Sequence, residues 1–287
     1  MMGLKRRDFL KQAGISTAGF LLNACQMQYQ NHIPTDIFPT STQTALPTPI
    51  ATQTALPTHT QVPMATFCTD QITRLVSENE IDFLVNHEVT KGDTSRKVIM
   101  MTYDDNGRYQ EIRSILDAFK AFHMKATFFF IGEKIPLSSK AVHAVVDEGH
   151  LLACHGYAHN NFMALSNDQI NRRIEKCFKV VDEIVPGYRM RFIRFPYGSG
   201  VGSERILRAV AQWGLQHIYW STGSNGTIPD TLGTVMRNAE NGAIVLSHMH
   251  RYYDINQAPE IVAGLVEAGY SLETIETGRA PEDKYQP

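Results

Sequence analysis

The sequence predicts an α/β domain built as an incomplete β/α barrel, and three observations carry that expectation. After residue 90, short apolar runs alternate with helical patterns about seven times, the order of a parallel sheet whose crossovers are helices. From residue 67 to the end at 287 there is length enough for one such domain and its core. Two of the apolar runs stop on chemistry-bearing side chains, at the sheet edge where α/β architectures bind ligands.

The elements follow from residue periodicity. Expected strands are Val98–Thr102, Ala126–Ile131, His150–Cys154, Phe192–Phe195, His217–Trp220, Ala243–Ser247 and Tyr270–Thr274, each a short apolar or β-branched run. Ile112, Ile115, Leu116 and Phe119 mark one amphipathic helix, and Ile170, Ile174, Phe178 and Val181 another. Ser166-Asn167-Asp168-Gln169 reads as a capping box opening the second. The segment from Asp70 to Val89 reads as a leading helix packed outside the barrel.

Residues 1–25 read as a signal peptide. A basic stretch (Lys5, Arg6, Arg7, Lys11) precedes the mildly apolar Ala13 to Leu22, too short to span a bilayer. The paired arginines before Phe9-Leu10-Lys11 resemble a twin-arginine export signal, and Leu22-Asn23-Ala24-Cys25 resembles a bacterial lipobox. Cys25 would then be the lipidated first residue of an exported, membrane-anchored chain facing the periplasm or cell wall; the alternative is an incidental thiol. Residues 26–66 are rich in Thr, Pro, Gln and Ala, and repeat Thr-Gln-Thr-Ala-Leu-Pro-Thr at 42–48 and 52–58. Such composition buries too little apolar area to fold, so a solvated tether is expected, reaching on the order of 100 Å if extended. The net charge of −2 includes +3 from the signal segment, leaving −5 beyond it and no basic nucleic-acid footprint. Beyond Cys25, three cysteines (Cys68, Cys154, Cys177) exclude a disulfide framework; Cys154 and Cys177 read as buried thiols.

The chemistry lies at two strand ends. Val98–Thr102 runs into Tyr103-Asp104-Asp105, and fifty residues after Asp105 the third strand runs into His155-Gly156-Tyr157-Ala158-His159. One carboxylate with two imidazoles suits a divalent transition metal, zinc first, and the other Asp would stand beside it as a base. Cys154 adjoins His155, but neighbours in a strand point to opposite faces, so both should not bind one ion. His143, His150 and His217 fall within element bodies and read as structural.

As a set, the motifs of residues 90–275 resemble the NodB-homology polysaccharide deacetylases, metal-dependent carbohydrate N-deacetylases with a distorted seven-stranded β/α barrel. Thr102-Tyr103-Asp104-Asp105-Asn106-Gly107 is similar to the family's first motif, TFDDG, and His155 to His159 to its second, HSxxH or HTxxH. Arg194-Phe195-Pro196-Tyr197-Gly198 is similar to RxPYG, and Leu246-Ser247-His248 to the closing Leu-x-His. The resemblance implies that Asp105, His155 and His159 hold the metal, that Asp104 is the general base and that Arg194 orients it. It further implies that the Tyr197 backbone N–H meets the oxyanion and that His248, rather than its neighbour His250, protonates the leaving amine. Trp220 would either stack on a sugar or fill the barrel mouth.

Two departures stand out. The family places an Asp shortly after a Trp to support the catalytic His, whereas Trp220 to Gly226 holds no carboxylate; Ser224, Asn225 and Asp230 are the candidate substitutes. Asn106 replaces a Gly, a mild change because Asn tolerates the left-handed region. The expected function is removal of N-acetyl groups from a polysaccharide, a cell-wall glycan or chitin-like polymer, outside the cytoplasm. Its competitors are a weakly active or non-catalytic metal- and glycan-binding lipoprotein and an amidohydrolase acting on a small amide.

Overall fold

The computed structural model describes residues 76–286; the signal peptide, Cys25, the tether and Cys68 lie outside them. Helix α1 (Glu78–Asn86) is capped by the Ser77 side chain, which accepts the Glu80 N–H. Of the leading helix expected over Asp70 to Val89, residues 70–75 lie outside the described residues; the helix ends at Asn86, and Val89 instead bridges to Ile218.

The barrel proper begins with β1 (Val98–Asp105), α2 (Tyr109–Lys120), β2 (Thr127–Phe130) and α3 (Ser139–Asp147). It continues through β3 (Leu151–Cys154), α4 (Asn167–Ile184), β4 (Phe192–Ile193) and α5 (Glu204–Ala211). After β5 (Gln216–His217) and β6 (Thr222–Gly223) come α6 (Thr231–Arg237), β7 (Ala243–His248), α7 (Tyr252–Asn256), α8 (Ala258–Glu267) and β8 (Ser271–Leu272). The two helices expected from their apolar stripes are α2 and α4, and every residue of both stripes is buried. Ser166 and Gln169 form the expected capping box on α4.

All pairings are parallel, in the order β5-β4-β3-β2-β1-β7-β6, with β8 beside the first residues of β1. The strand expected at His217–Trp220 resolves into two. Residues 216–218 bond to β4 and residues 221–224 to β7, so one chain segment crosses the gap that keeps the barrel incomplete. β8 pairs only Val98 and Ile99, whereas β2 pairs Thr102 to Asp105, so the two share one side of β1.

Strict alternation sorts the side chains. Ile99, Met101, Tyr103, Phe128, Phe130, Leu152, Cys154, Ala243 and Val245 point outward into the helix layer. Met100, Phe129, Ala153, Phe192, Ile218 and Ile244 fill the lumen. Cys154 and His155 therefore take opposite faces, and Cys154 and Cys177 are both buried free thiols. His150 is structural: its Nδ1 accepts the Ala126 N–H, which requires the neutral ring.

Burial, with nearby Lys125 adding to it, pushes the His150 imidazole down to about 4. The unfolded chain then binds the extra proton between about pH 6.5 and 4, so this residue's contribution is present at neutral pH and is lost as pH falls through that window. The loss is at most about 3 kcal/mol. Urea unfolding at pH 7 and pH 4.5 should show the drop, and His150→Asn should flatten it.

Candidate metal and catalytic site

The site forms at the carboxyl end of the barrel, where Asp104 and His248, register partners on β1 and β7, face inward. By alternation Asp105 would follow Tyr103 into the helix layer. Instead its backbone turns left-handed (φ 76°), which returns the second carboxylate to the lumen mouth. Asn106 was expected to take that conformation; the strained residue is Asp105. The Asn106 side chain accepts the Ile131 N–H and donates to Ser138, tying this corner to the end of β2. Gly107 is needed for a close approach, since a Cβ there would lie 2.2 Å from the Met249 carbonyl oxygen.

Asp105 Oδ1 lies 3.6 Å from His155 Nε2 and 3.4 Å from His159 Nε2. Among the described residues these three form the single cluster able to hold a metal ion. Tetrahedral donors about 2.1 Å from a zinc ion stand about 3.4 Å apart, close to the spacings found. The His155 ring is also oriented for this task. Its Nδ1–H donates to the Arg194 carbonyl at 2.9 Å, which leaves the Nε2 lone pair facing Asp105. Burial pushes this imidazole below its ordinary range, favouring the neutral form a ligand needs.

Arg194 is fully buried and spends its donors inside the barrel. Nη1 bonds to Thr102 Oγ1 (2.7 Å) and Asp104 Oδ1 (2.8 Å), Nη2 to the Tyr219 carbonyl (2.8 Å) and Nε to the Ile218 carbonyl (3.2 Å). The guanidinium lies over the Phe129 ring, 4.3 Å from its centroid. Burial lowers its pKa while Asp104 opposes that shift. Asp104 is left with Oδ2 directed at His155 Nε2, 3.8 Å away. Arg194→Met should therefore destabilise the domain by about 3–5 kcal/mol, since it strands a buried carboxylate; the midpoint of urea unfolding measures this.

Tyr197 occupies the left-handed region (φ 60°) in the turn after Phe195, which Gly198 and Ser199 close by N–H bonds to Phe195 and Pro196. The residue is 73% exposed, and its ring meets His159 edge-on at 4.4 Å. Trp220 stacks on Tyr219 at 3.9 Å and packs against the lumen cluster while staying half-buried. His248 is directed inward; its backbone N–H donates to Asp254 Oδ2, and its Nδ1 lies 3.8 Å from the same oxygen.

The structure thus gathers Asp104, Asp105, His155, His159, Arg194 and His248 around one point, with Tyr197 on the rim. Sequence reasoning missed one neighbour, Asp254, and weighed another, His250, only as a rival acid. His250 lies beyond the end of β7, yet its Nδ1 is 3.4 Å from Asp105 Oδ2. Asp254, on α7, is buried beside His248; its spacing six residues past a strand-end His carried no recognisable signal. Asp230, one candidate for the missing carboxylate, is exposed and paired with Arg237.

A family model described as polysaccharide deacetylase matches residues 91–218, which hold Asp104, Asp105, both HxxxH histidines, Arg194 and Tyr197. The domain belongs to the polysaccharide deacetylase family. This domain is 28% identical over 162 residues to a peptidoglycan-N-acetylglucosamine deacetylase of Bacillus cereus, covering 55% of this chain and 58% of that one. It is 29% identical over 186 residues to a peptidoglycan-N-acetylmuramic acid deacetylase of Bacillus subtilis, covering 64% of this chain and 39% of that one. The match thus spans well under two thirds of either relative. Among solved structures, a mutant of a carbohydrate esterase family 4 pseudoenzyme with restored enzymatic activity has a TM-score of 0.61 at 25% identity, covering 66% of this chain and 70% of the other. Such neighbours share the incomplete barrel of the deacetylase family. Among the described residues no helix is long and apolar enough to cross a membrane.

Proposed function

We propose that this deacetylase-family domain hydrolyses N-acetyl groups of a polysaccharide, a wall glycan or chitin-like polymer, outside the cytoplasm. The observation that carries this reading is Asp104, a buried carboxylate with one oxygen held by Arg194 and the other facing the donors Asp105, His155 and His159. A divalent ion, zinc first, fits those donors and when bound would supply Lewis acidity, polarising the acetamide carbonyl and acidifying water. Asp104 Oδ2 takes the proton of the attacking water as its oxygen bonds to the carbonyl carbon. The Tyr197 N–H, presented by its left-handed turn, donates to the developing oxyanion. The C–N bond then breaks, the nitrogen takes a proton from His248, and acetate and a free amine leave.

Support for a polymeric substrate comes from the rim: Tyr197 is largely exposed and the His250 side chain is 49% exposed, so the site opens outward. The named activities of the relatives agree. A non-catalytic reading draws on the pseudoenzyme neighbours, but a binding module has no need of a base set as Asp104 is. Mass spectrometry of treated peptidoglycan and chitooligosaccharides should find deacetylated sugars. Turnover confined to small N-acetyl amides would replace this reading with the amidohydrolase one.

Lipid anchoring at Cys25 and twin-arginine export complete the proposal. Cys25→Ser should move the protein from the membrane fraction to soluble extract, because the acyl chains supply the anchoring burial. Replacing Arg6 and Arg7 by Lys should stop export; immunoblots of cell fractions check both.

A further inference from the structure

We propose that Asp254 is the positioning residue for His248, supplying from α7 the negative charge that the segment after Trp220 lacks. The inference rests on the deacetylase reading for its kinetic arm alone.

Asp254 is 1% exposed, and an ionised carboxylate that deep must be hydrogen-bonded or paired. Oδ1 accepts the hydroxyl of Ser224, itself buried, and Oδ2 accepts the His248 backbone N–H at 2.9 Å. The same Oδ2 lies 3.8 Å from His248 Nδ1, a buried nitrogen with no hydrogen-bond partner among the described residues. A shift of about 1 Å would close that contact into a hydrogen bond, as catalytic contacts do on substrate binding. Room for the carboxylate is built in. A Cβ on Gly226 would fall 2.1 Å from Asp254 Cγ, and the Gly226 carbonyl accepts the Tyr253 N–H, holding α7 against the 224–226 loop. Ser224 therefore acts through Asp254, and three separate features converge on one carboxylate.

The other groups near His248 do not compete for Nδ1. His250 meets it edge-on at 5.7 Å, and Asp104, its register partner on β1, is engaged by Arg194. The buried Tyr103 hydroxyl stays protonated, its pKa raised by burial and by the Asp254 charge. With Nδ1–H aimed at Asp254, the proton delivered to the amine leaves from Nε2, and the carboxylate stabilises the imidazolium that precedes that transfer.

The test uses metal-loaded full-length protein and Asp254→Asn, which keeps the shape but removes the charge and turns one of the two acceptor oxygens into an NH₂ donor. The neutral His248 ring should be the Nδ1–H tautomer in the wild type and move toward Nε2–H in the variant, read by 15N NMR. The kcat for acetate release should fall about 10- to 10³-fold with KM and metal content unchanged. An unaltered tautomer overturns the proposal whatever the rate does, since a purely structural Asp254 would lower activity without it. If the wild type deacetylates nothing, the functional reading fails while the tautomer change still supports the positioning role. Should Asp254→Asn not fold, Ser224→Ala carries the test. That variant frees one oxygen of Asp254, so a partial tautomer change and a kcat loss of about 3- to 10-fold are expected; no change in either overturns the proposal.

Discussion

Asp104→Asn should keep its metal and lose about 10² to 10⁴ of its turnover, the range set by losing a general base. The substitution is nearly isosteric, and an amide oxygen still accepts the Arg194 bond now made by Oδ1. The Oδ2 position, directed at the donor cluster, becomes an NH₂ that cannot take up a proton. The donors Asp105, His155 and His159 are untouched, so metal content by mass spectrometry should match the wild type while acetate release collapses. An Asp104→Asn protein as active as wild type would remove the base from the mechanism and favour a metal-binding, non-catalytic domain.

Removing a donor should act one step earlier. His155→Ala and His159→Ala should each abolish most metal binding, because a cluster of three donors has no spare. The two should differ in their side effects. His155 is buried and bonded to the Arg194 carbonyl, so its loss should also destabilise the fold by about 1–3 kcal/mol. His159 is a third exposed and touches Asp105 and the rings of His155 and Tyr197 without a buried hydrogen bond to the backbone, so its loss should leave stability near that of the apo wild type. Isothermal titration with zinc and urea unfolding separate the two effects; undiminished affinity in both variants would dismiss the cluster as a metal site.

Much of this was legible before any coordinates. The alternation of apolar runs and amphipathic stripes marked α2, α4 and most strands, because burial period is set locally by backbone geometry. The crossing segment at residues 216–224 was not legible as two strands. Its hydrogen-bond partners change midway from β4 to β7, a tertiary fact with no local signature. In the site, the Asp-Asp and HxxxH motifs could be read because one ends a strand and the other directly follows one. Asp105 needed more than position: only its left-handed backbone brings it round to join the histidines. Asp254 could not be found by looking near Trp220, since the fold brings in a helix from beyond β7 to stand where a loop carboxylate was sought.

The most direct test of the deacetylase account is acetate release from N-acetylated peptidoglycan and chitooligosaccharides, with metal-loaded and chelated protein side by side. The account expects release by the loaded protein, loss on chelation and recovery when zinc is restored. Equal release with and without metal, or none from any N-acetylated glycan, would contradict it.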